Sequence, residues 1–174
     1  TEHLGVTKVQ LVIGGSMGAF QAYQWGLSHP ELVERIAPMC GAAQVSRHCY
    51  VFLEGPKSAL LADPTYNGGD YDTAPEVGLK ALGRVWAGWA LSQQFYREEL
   101  YKRMGFDSVE AFLIGFWEAF WVKCDANDLL CQLDVWQNAD LAKTPGYDGD
   151  LSRALGDIRA KCIQSPGEKD LYFP

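Results

Sequence analysis

Apolar and polar positions along the chain follow two different rhythms. Val9 to Ile13 (Val-Gln-Leu-Val-Ile) is a run rich in β-branched residues without turn signals, and it predicts a short buried strand. Behind it Gly18, Ala22 and Gly26 recur at a spacing of four. That spacing predicts a helix over 18–28 with a face of small residues, which can lie close against a sheet. The helix should stop before His29-Pro30, because proline disfavours helix at the residue preceding it. Val33 to Met39 predicts a second strand, with Cys40-Gly41-Ala42-Ala43 as its exit. Strand, helix and strand in so short a space imply a parallel pair with a right-handed crossover. Residues 1–8 predict a helix end and a turn, with Gly5 as its C-cap.

After residue 45 the rhythm is helical. Val109, Phe112, Leu113, Phe116, Trp117 and Phe120 recur at three- and four-residue steps and predict a helix over 109–121, with Asp107 and Glu110 resembling a capping box. Leu129, Leu130, Leu133 and Trp136 share one side of a second helix, with Asp125 as its N-cap. Two more helices are expected around 77–92, where Pro75-Glu76 makes a good start, and 93–103. Residues 64–71 and 144–149 are loop by their glycine, asparagine and proline content. A short helix over 150–156 leads to a third strand over 158–164, followed by the turn Ser165-Pro166-Gly167-Glu168-Lys169-Asp170. The expected organisation is a core segment over 1–45, a helical cap insertion over 46–149 and a return to the core over 150–174. Every tryptophan except Trp25 lies between 86 and 136. Such an aromatic insertion suits a lid over a cleft, but helical spacing makes these rings its own core by default.

Composition narrows the function classes. The chain has 174 residues, 48% of them apolar, enough for one sizeable core. A net charge of −7, with no basic run longer than a pair, argues against a nucleic-acid partner. No apolar stretch approaches the ~18 residues of a membrane span, and the N-terminus lacks a signal-peptide profile, although Thr1 reads as an internal start. Five scattered cysteines without a Cys-x-x-Cys pair fit reduced, mostly buried thiols in a cytoplasmic protein. The three histidines lack metal-type spacing, so no metal site is expected.

The candidate chemistry sits at Gly14-Gly15-Ser16-Met17-Gly18, between the first strand and the first helix. Strand, Gly-x-Ser-x-Gly turn and helix are the context of a nucleophile elbow. With 8 Ser and 18 Gly in the chain, chance gives roughly 0.09 such matches. A serine on so sharp a turn should carry a strained backbone, and side chains on either flank should collide with the neighbouring strand and helix. The bland alternative is a serine that merely caps the helix. Asp170 lies just past the carboxyl end of the third strand, the edge where open parallel sheets bind ligands.

Four segments together resemble the homoserine O-acetyltransferase family: Gly-Gly-Ser-Met-Gly after an apolar strand, Ala-Asp-Pro-x-x-x-x-Gly-x-Tyr over 62–71, Asp-Ala-Asn at 125–127, and Asp-Leu-Tyr-Phe-Pro at 170–174. They occur in the family's order and cover nearly the whole chain. The resemblance implies an α/β-hydrolase fold, here parallel strands with a helical cap. It also implies a Ser, Asp and His triad that moves an acetyl group from acetyl-CoA, as co-substrate, to an alcohol through an acyl-serine. Ser16 matches the nucleophile and Asp170 the triad acid. Met17 would supply an oxyanion-hole N–H. The triad histidine follows the acid in this fold, and none follows Asp170 here; neither His29 nor His48 is promoted to its place. The upstream loop that gives the second oxyanion donor is also absent, so the resemblance implies the middle of a longer enzyme. No bound cofactor is expected.

The family anchors homoserine with an arginine in the helix that begins Gly-Leu, here Gly78-Leu79. Gap-free matching puts Gly83 at that place and the candidate substrate-binding Arg84 one residue on, rotated by about 100°. The other reading of Arg84 is a surface or salt-bridged arginine. Lys123-Cys124 also replaces the family's usual Arg-Phe, which leaves the acceptor open. Three functions are expected, in this order: an acyltransferase through acyl-Ser16, an esterase with water as acceptor, and a non-catalytic relative. The expected partner is a small-molecule substrate, with a homodimer through the helical cap left open.

Overall fold

Three parallel strands, β1 (Val12–Gly15), β2 (Arg35–Met39) and β3 (Lys161–Cys162), lie in that order in one sheet. The computed structural model describes residues 2–168 and 170–173. Thr1, Lys169 of the acid-bearing turn and Pro174 of the Asp-Leu-Tyr-Phe-Pro segment lie outside the described residues. Val12 pairs with Ile36 and Gly15 with Met39, while single bridges Val9–Val33 and Met39–Ser165 extend the pairing. The contacts divide the chain into two units, residues 1–49 with 136–174, and residues 50–135. Their boundaries lie inside the expected 46–149 insertion.

In the first unit α1 (Met17–Ser28) returns the chain from β1 to β2. The small-residue face behaves as its spacing requires: a Cβ on Gly26 would stand 3.1 Å from Ile36 and 3.3 Å from Ile158. Tyr23, Leu27, Val33, Ile36, Leu141, Ala154 and Ala160 bury one another, with Ala154 supplied by α8 (Leu151–Gly156). Full burial of each large aliphatic side chain there contributes about 1.5–3 kcal/mol. Strand side chains alternate, so Ile13, Ala37 and Ile163 fall on the opposite face of the sheet, where Ile13 and Ile163 are exposed.

The second unit is helical. Two helices run across the unit boundaries: α2 (Arg47–Leu61) and α7 (Ala126–Gln137). Between them lie α3 (Glu76–Ala90), α4 (Gln93–Arg97), α5 (Val109–Phe112), a π-helical stretch over Leu113–Glu118, and α6 (Ala119–Trp121). Phe112 is fully buried, and the rings of Phe95, Tyr101, Phe106, Phe116 and Trp117 surround it at 5.2–6.4 Å. Trp86 and Trp121 pack at the margin of the same cluster. Apart from Phe116, which is exposed, these aromatics are therefore the core of the unit.

Several boundaries differ from the sequence expectations for physical reasons. The first strand starts at Val12 and runs on into Gly14 and Gly15, because ladder bonds to β2 are made by backbone alone. The third is only Lys161–Cys162 with a bridge at Ser165. The expected 93–103 helix breaks at Glu99, whose φ of 52° is left-handed, and continues as a 3₁₀ turn over Leu100–Met104. Ser108, in place of the Asp107–Glu110 box, caps α5 by accepting from the Ala111 N–H at 3.0 Å. Asp125 does cap α7, accepting from the Asp128 N–H at 3.0 Å. Helix α2 had no counterpart among the expected elements, because Pro56 sits inside it. The signal was present all the same: Cys49, Phe52, Leu53 and Leu60 are buried at helical spacing, and Ser46 Oγ accepts from the Cys49 N–H. The cysteines need correcting too. Only Cys49 is buried, whereas Cys40, Cys131 and Cys162 are exposed and Cys124 lies between.

Asp63 shows how the helical unit is stitched. It is buried and accepts from the N–H groups of Gly78 (2.8 Å) and Thr65 (2.9 Å), which hold its carboxyl below the ordinary 3.8. Gly78 is required there, since a Cβ would stand 2.7 Å from the Leu60 carbonyl oxygen. A lowered folded pKa means that the unfolded chain binds the proton more readily. The stabilisation from Asp63 is thus complete above pH 3.8 and is lost as the pH falls through the lower folded value. Asp63→Asn should unfold at lower urea than wild type near pH 7, with the gap narrowing in acid. A gap that stays constant down to pH 2 would refute this role.

Candidate active site

Ser16 stands alone between β1 and α1 with φ 53° and ψ −121°, a conformation that L-residues rarely adopt. Holding it costs on the order of 1–3 kcal/mol. Two backbone bonds fix it: the Ser16 N–H donates to the Met39 carbonyl, and the Ser16 carbonyl accepts from the Ala19 N–H, both at 2.9 Å. A Cβ on Gly14 would lie 2.0 Å from the Gly18 carbonyl oxygen, so no other residue fits there. The flank expectation holds only on that side, because a Cβ on Gly18 meets nothing within 4 Å. Gly41 is a requirement that sequence reasoning missed: its Cβ would stand 2.6 Å from the Ser16 carbonyl oxygen. The Ser16 side chain makes no capping hydrogen bond, which disposes of the helix-cap alternative. Its hydroxyl is left at an exposed, strained strand-to-helix corner.

Met17 opens α1. The first N–H groups of a helix have no acceptor within it and carry partial positive charge, so an oxyanion formed beside Ser16 would be attracted to them.

Asp170 leaves the sheet on the same edge. Gly15 pairs with Met39, Met39 bridges Ser165, and the Cys40 N–H donates to the Ser165 carbonyl at 2.8 Å. Ser16 and the turn after Ser165 therefore both emerge at the carboxyl ends of the parallel strands. Oδ1 of Asp170 accepts from the N–H groups of Tyr172 (2.8 Å) and Phe173 (3.1 Å). His29 is at the far end of α1, whose 12 residues span about 18 Å, and it packs on Trp25. Among the described residues no three His, Cys, Asp or Glu side chains could hold a metal ion. Among them, too, no helix is long and apolar enough to cross a membrane.

Arg84, the candidate substrate-binding residue, is held by two carboxylates. Its guanidinium pairs with Glu110 (Nη2–Oε1 2.6 Å) and with Glu118 (Nε–Oε1 2.5 Å), which push its already high pKa up, the Glu110 hydrogen bonds first. The salt-bridged reading is thus the one observed, and it also explains why Glu110 is unavailable to a capping box. The matched position itself is closed. A Cβ on Gly83 would stand 2.7 Å from Trp121 and 3.2 Å from the Trp117 carbonyl oxygen, so no arginine fits there.

Two other recognised segments prove to be joined to each other. Tyr71 donates to Asp125 (2.6 Å) and accepts from the Ala126 N–H. Asn127 donates to the Gly69 carbonyl and accepts from the Tyr66 hydroxyl. Both motifs serve this knot within the helical unit.

A parallel sheet with a strained serine between strand and helix is the core geometry of an α/β-hydrolase fold. No family model matches the chain. It is 36% identical to the ethyl acetate hydrolase of Pseudomonas veronii over 175 residues, covering 99% of this chain and 50% of the relative. It is 35% identical to the homoserine O-acetyltransferase of Rhodospirillum rubrum, covering 99% and 47%. Among solved structures, an acetylester hydrolase from Corynebacterium glutamicum superposes with a TM-score of 0.93 at 34% identity, covering 99% of this chain and 50% of that one. The chain thus spans about half the length of the relatives it matches. Its similarity to esterases and to homoserine O-acetyltransferases alike extends over nearly the whole chain, and its fold is that of the α/β-hydrolases.

The Gly14–Gly18 contact makes a test. Gly14→Ala should lower stability by about 3 kcal/mol or more, whereas Gly18→Ala should stay within about 1 kcal/mol of wild type. Chemical denaturation measures both, and equal losses would contradict the geometry.

Proposed function

We propose that the chain carries the nucleophile and orienting acid of a serine esterase for short acyl esters, with water as the acyl acceptor. The observation that carries this reading is the closed position at Gly83, where Trp121 and Trp117 leave no room for a cation that would anchor an acceptor's carboxylate. Arg84, the nearest alternative, is engaged by Glu110 and Glu118. Water needs no such anchor.

The proposed sequence is acyl transfer through serine. Ser16 Oγ attacks the ester carbonyl carbon while a histidine takes its proton; the resemblance puts that histidine after Asp170, outside residues 1–174. The carbonyl oxygen becomes an oxyanion, stabilised by the Met17 N–H. Collapse expels the alcohol, which takes the proton from the imidazolium, and leaves acyl-Ser16. Water, deprotonated by the same imidazole, then attacks the acyl carbon; the bond to Ser16 Oγ breaks, Oγ takes the proton back from the imidazolium, and the acid leaves. Asp170 orients the imidazole and stabilises its charged form.

A second reading is acetyl transfer from acetyl-CoA to a homoserine-like alcohol, by the same acyl-serine. The 35% identity to an acetyltransferase over nearly the whole chain supports it. An assay at the length of the relatives separates the two. Aryl acetate and ethyl acetate should be hydrolysed without coenzyme A, and Ser16→Ala should lose on the order of 10⁴-fold in rate. Release of coenzyme A that depends on homoserine, with no ester hydrolysis, would overturn the esterase reading in favour of transfer.

A further inference from the structure

Asp170 begins a tight turn, and its carboxylate is bonded to the backbone of that turn. Oδ1 takes the N–H groups of Tyr172 and Phe173, so a shift of those two residues carries the carboxylate with it. Phe173 is in turn fixed by rings. It meets Phe20 edge-on, with centroids 5.7 Å apart at 65°, and stacks on Trp136 at 5.6 Å and 19°. Trp136 also contacts the Tyr172 ring at 5.8 Å. Phe20 is four residues after Ser16, one turn into the helix that the serine opens, and both Phe20 and Trp136 are buried. Side chains in such a cluster have few alternative rotamers open to them.

From this packing we infer that Phe173 is a positioning residue: its ring, set between Phe20 and Trp136, holds the Asp170 turn in register with the helix that begins at Ser16. The inference rests on the acyl-Ser16 reading above. A chain of contacts runs from nucleophile to acid through one unit: Ser16, α1, Phe20, Phe173, and the backbone donors of Asp170. The carboxylate's charge is felt in this apolar surround. The buried Cys49 thiol is pushed up to about 11, by burial first and next by Asp170. The carboxylate is held by these two N–H donors, and a small rotation misaligns it for an imidazole.

A ring that only filled space would affect stability alone; a positioning ring affects how well the acid supports the imidazolium. With the complete protein, kcat, KM and the pH profile of ester hydrolysis are measured for Phe173→Leu, Phe20→Leu and Phe173→Tyr, with Ser16→Ala as control. Both leucine variants should lose about 10–100-fold in kcat with KM changed by less than about 3-fold. The acid limb should move down by about 0.5–1 pH unit, because a less well oriented carboxylate stabilises the imidazolium less. Phe173→Tyr, which keeps the ring, should restore both. An unmoved acid limb in either leucine variant that folds, or a tyrosine variant as impaired as leucine, overturns the role. If Ser16→Ala instead retains activity, the acyl-serine reading fails, and the positioning role with it.

Discussion

The close approach of Gly14 to the Gly18 carbonyl is the constraint on which the site depends. A strand must become a helix within one residue, and only a missing side chain at Gly14 allows it. Ser16 is forced into φ 53° as a result, and the hydrogen bond from its N–H to the Met39 carbonyl holds it there. This geometry has two direct consequences. The hydroxyl makes no bond back onto the helix, and the helix N-terminus lies beside it. The strain is local and is offset by pairing with β2 on one side and the buried face of α1 on the other.

The helical unit meets a different demand. Around Phe112 it gathers a dense set of rings, and the helix that carries Phe112 changes to π geometry over Leu113–Glu118. That segment sets Trp117 and Trp121 against α3 at Gly83 and sets Glu118 against Arg84. A position that could otherwise have carried a substrate-binding cation is taken by indole.

Residues that look chemical in the sequence divide accordingly. Ser16 and the Asp170 turn emerge at one sheet edge. Asp63, Tyr71, Asp125 and Asn127 spend theirs on backbone and on each other, joining loops to helix starts. Asp63, buried and bonded to the Gly78 and Thr65 N–H groups, is such a stitch, whatever motif first drew attention to it.

The sequence by itself determined the elements whose signals are local. The glycine spacing of the elbow and the four-residue face of α1 each reflect one short segment's own geometry and appear in place, whereas the β-branched run is strand only from Val12, with Leu11 and Ile13 exposed. Asp125 could be assigned as a cap because capping reaches only three residues ahead. Helix α2 was hidden by Pro56, since proline's local preference opposes a burial pattern that only packing makes worthwhile. The fates of Arg84, Gly83 and Gly41 were decided by tertiary structure. Each depends on a partner outside its own helical turn or loop: Glu110 and Glu118, Trp121, and the Ser16 carbonyl. Charge pairing and close approach are set by which side chains the folded chain brings within a few ångströms, and spacing along a sequence does not carry that distance.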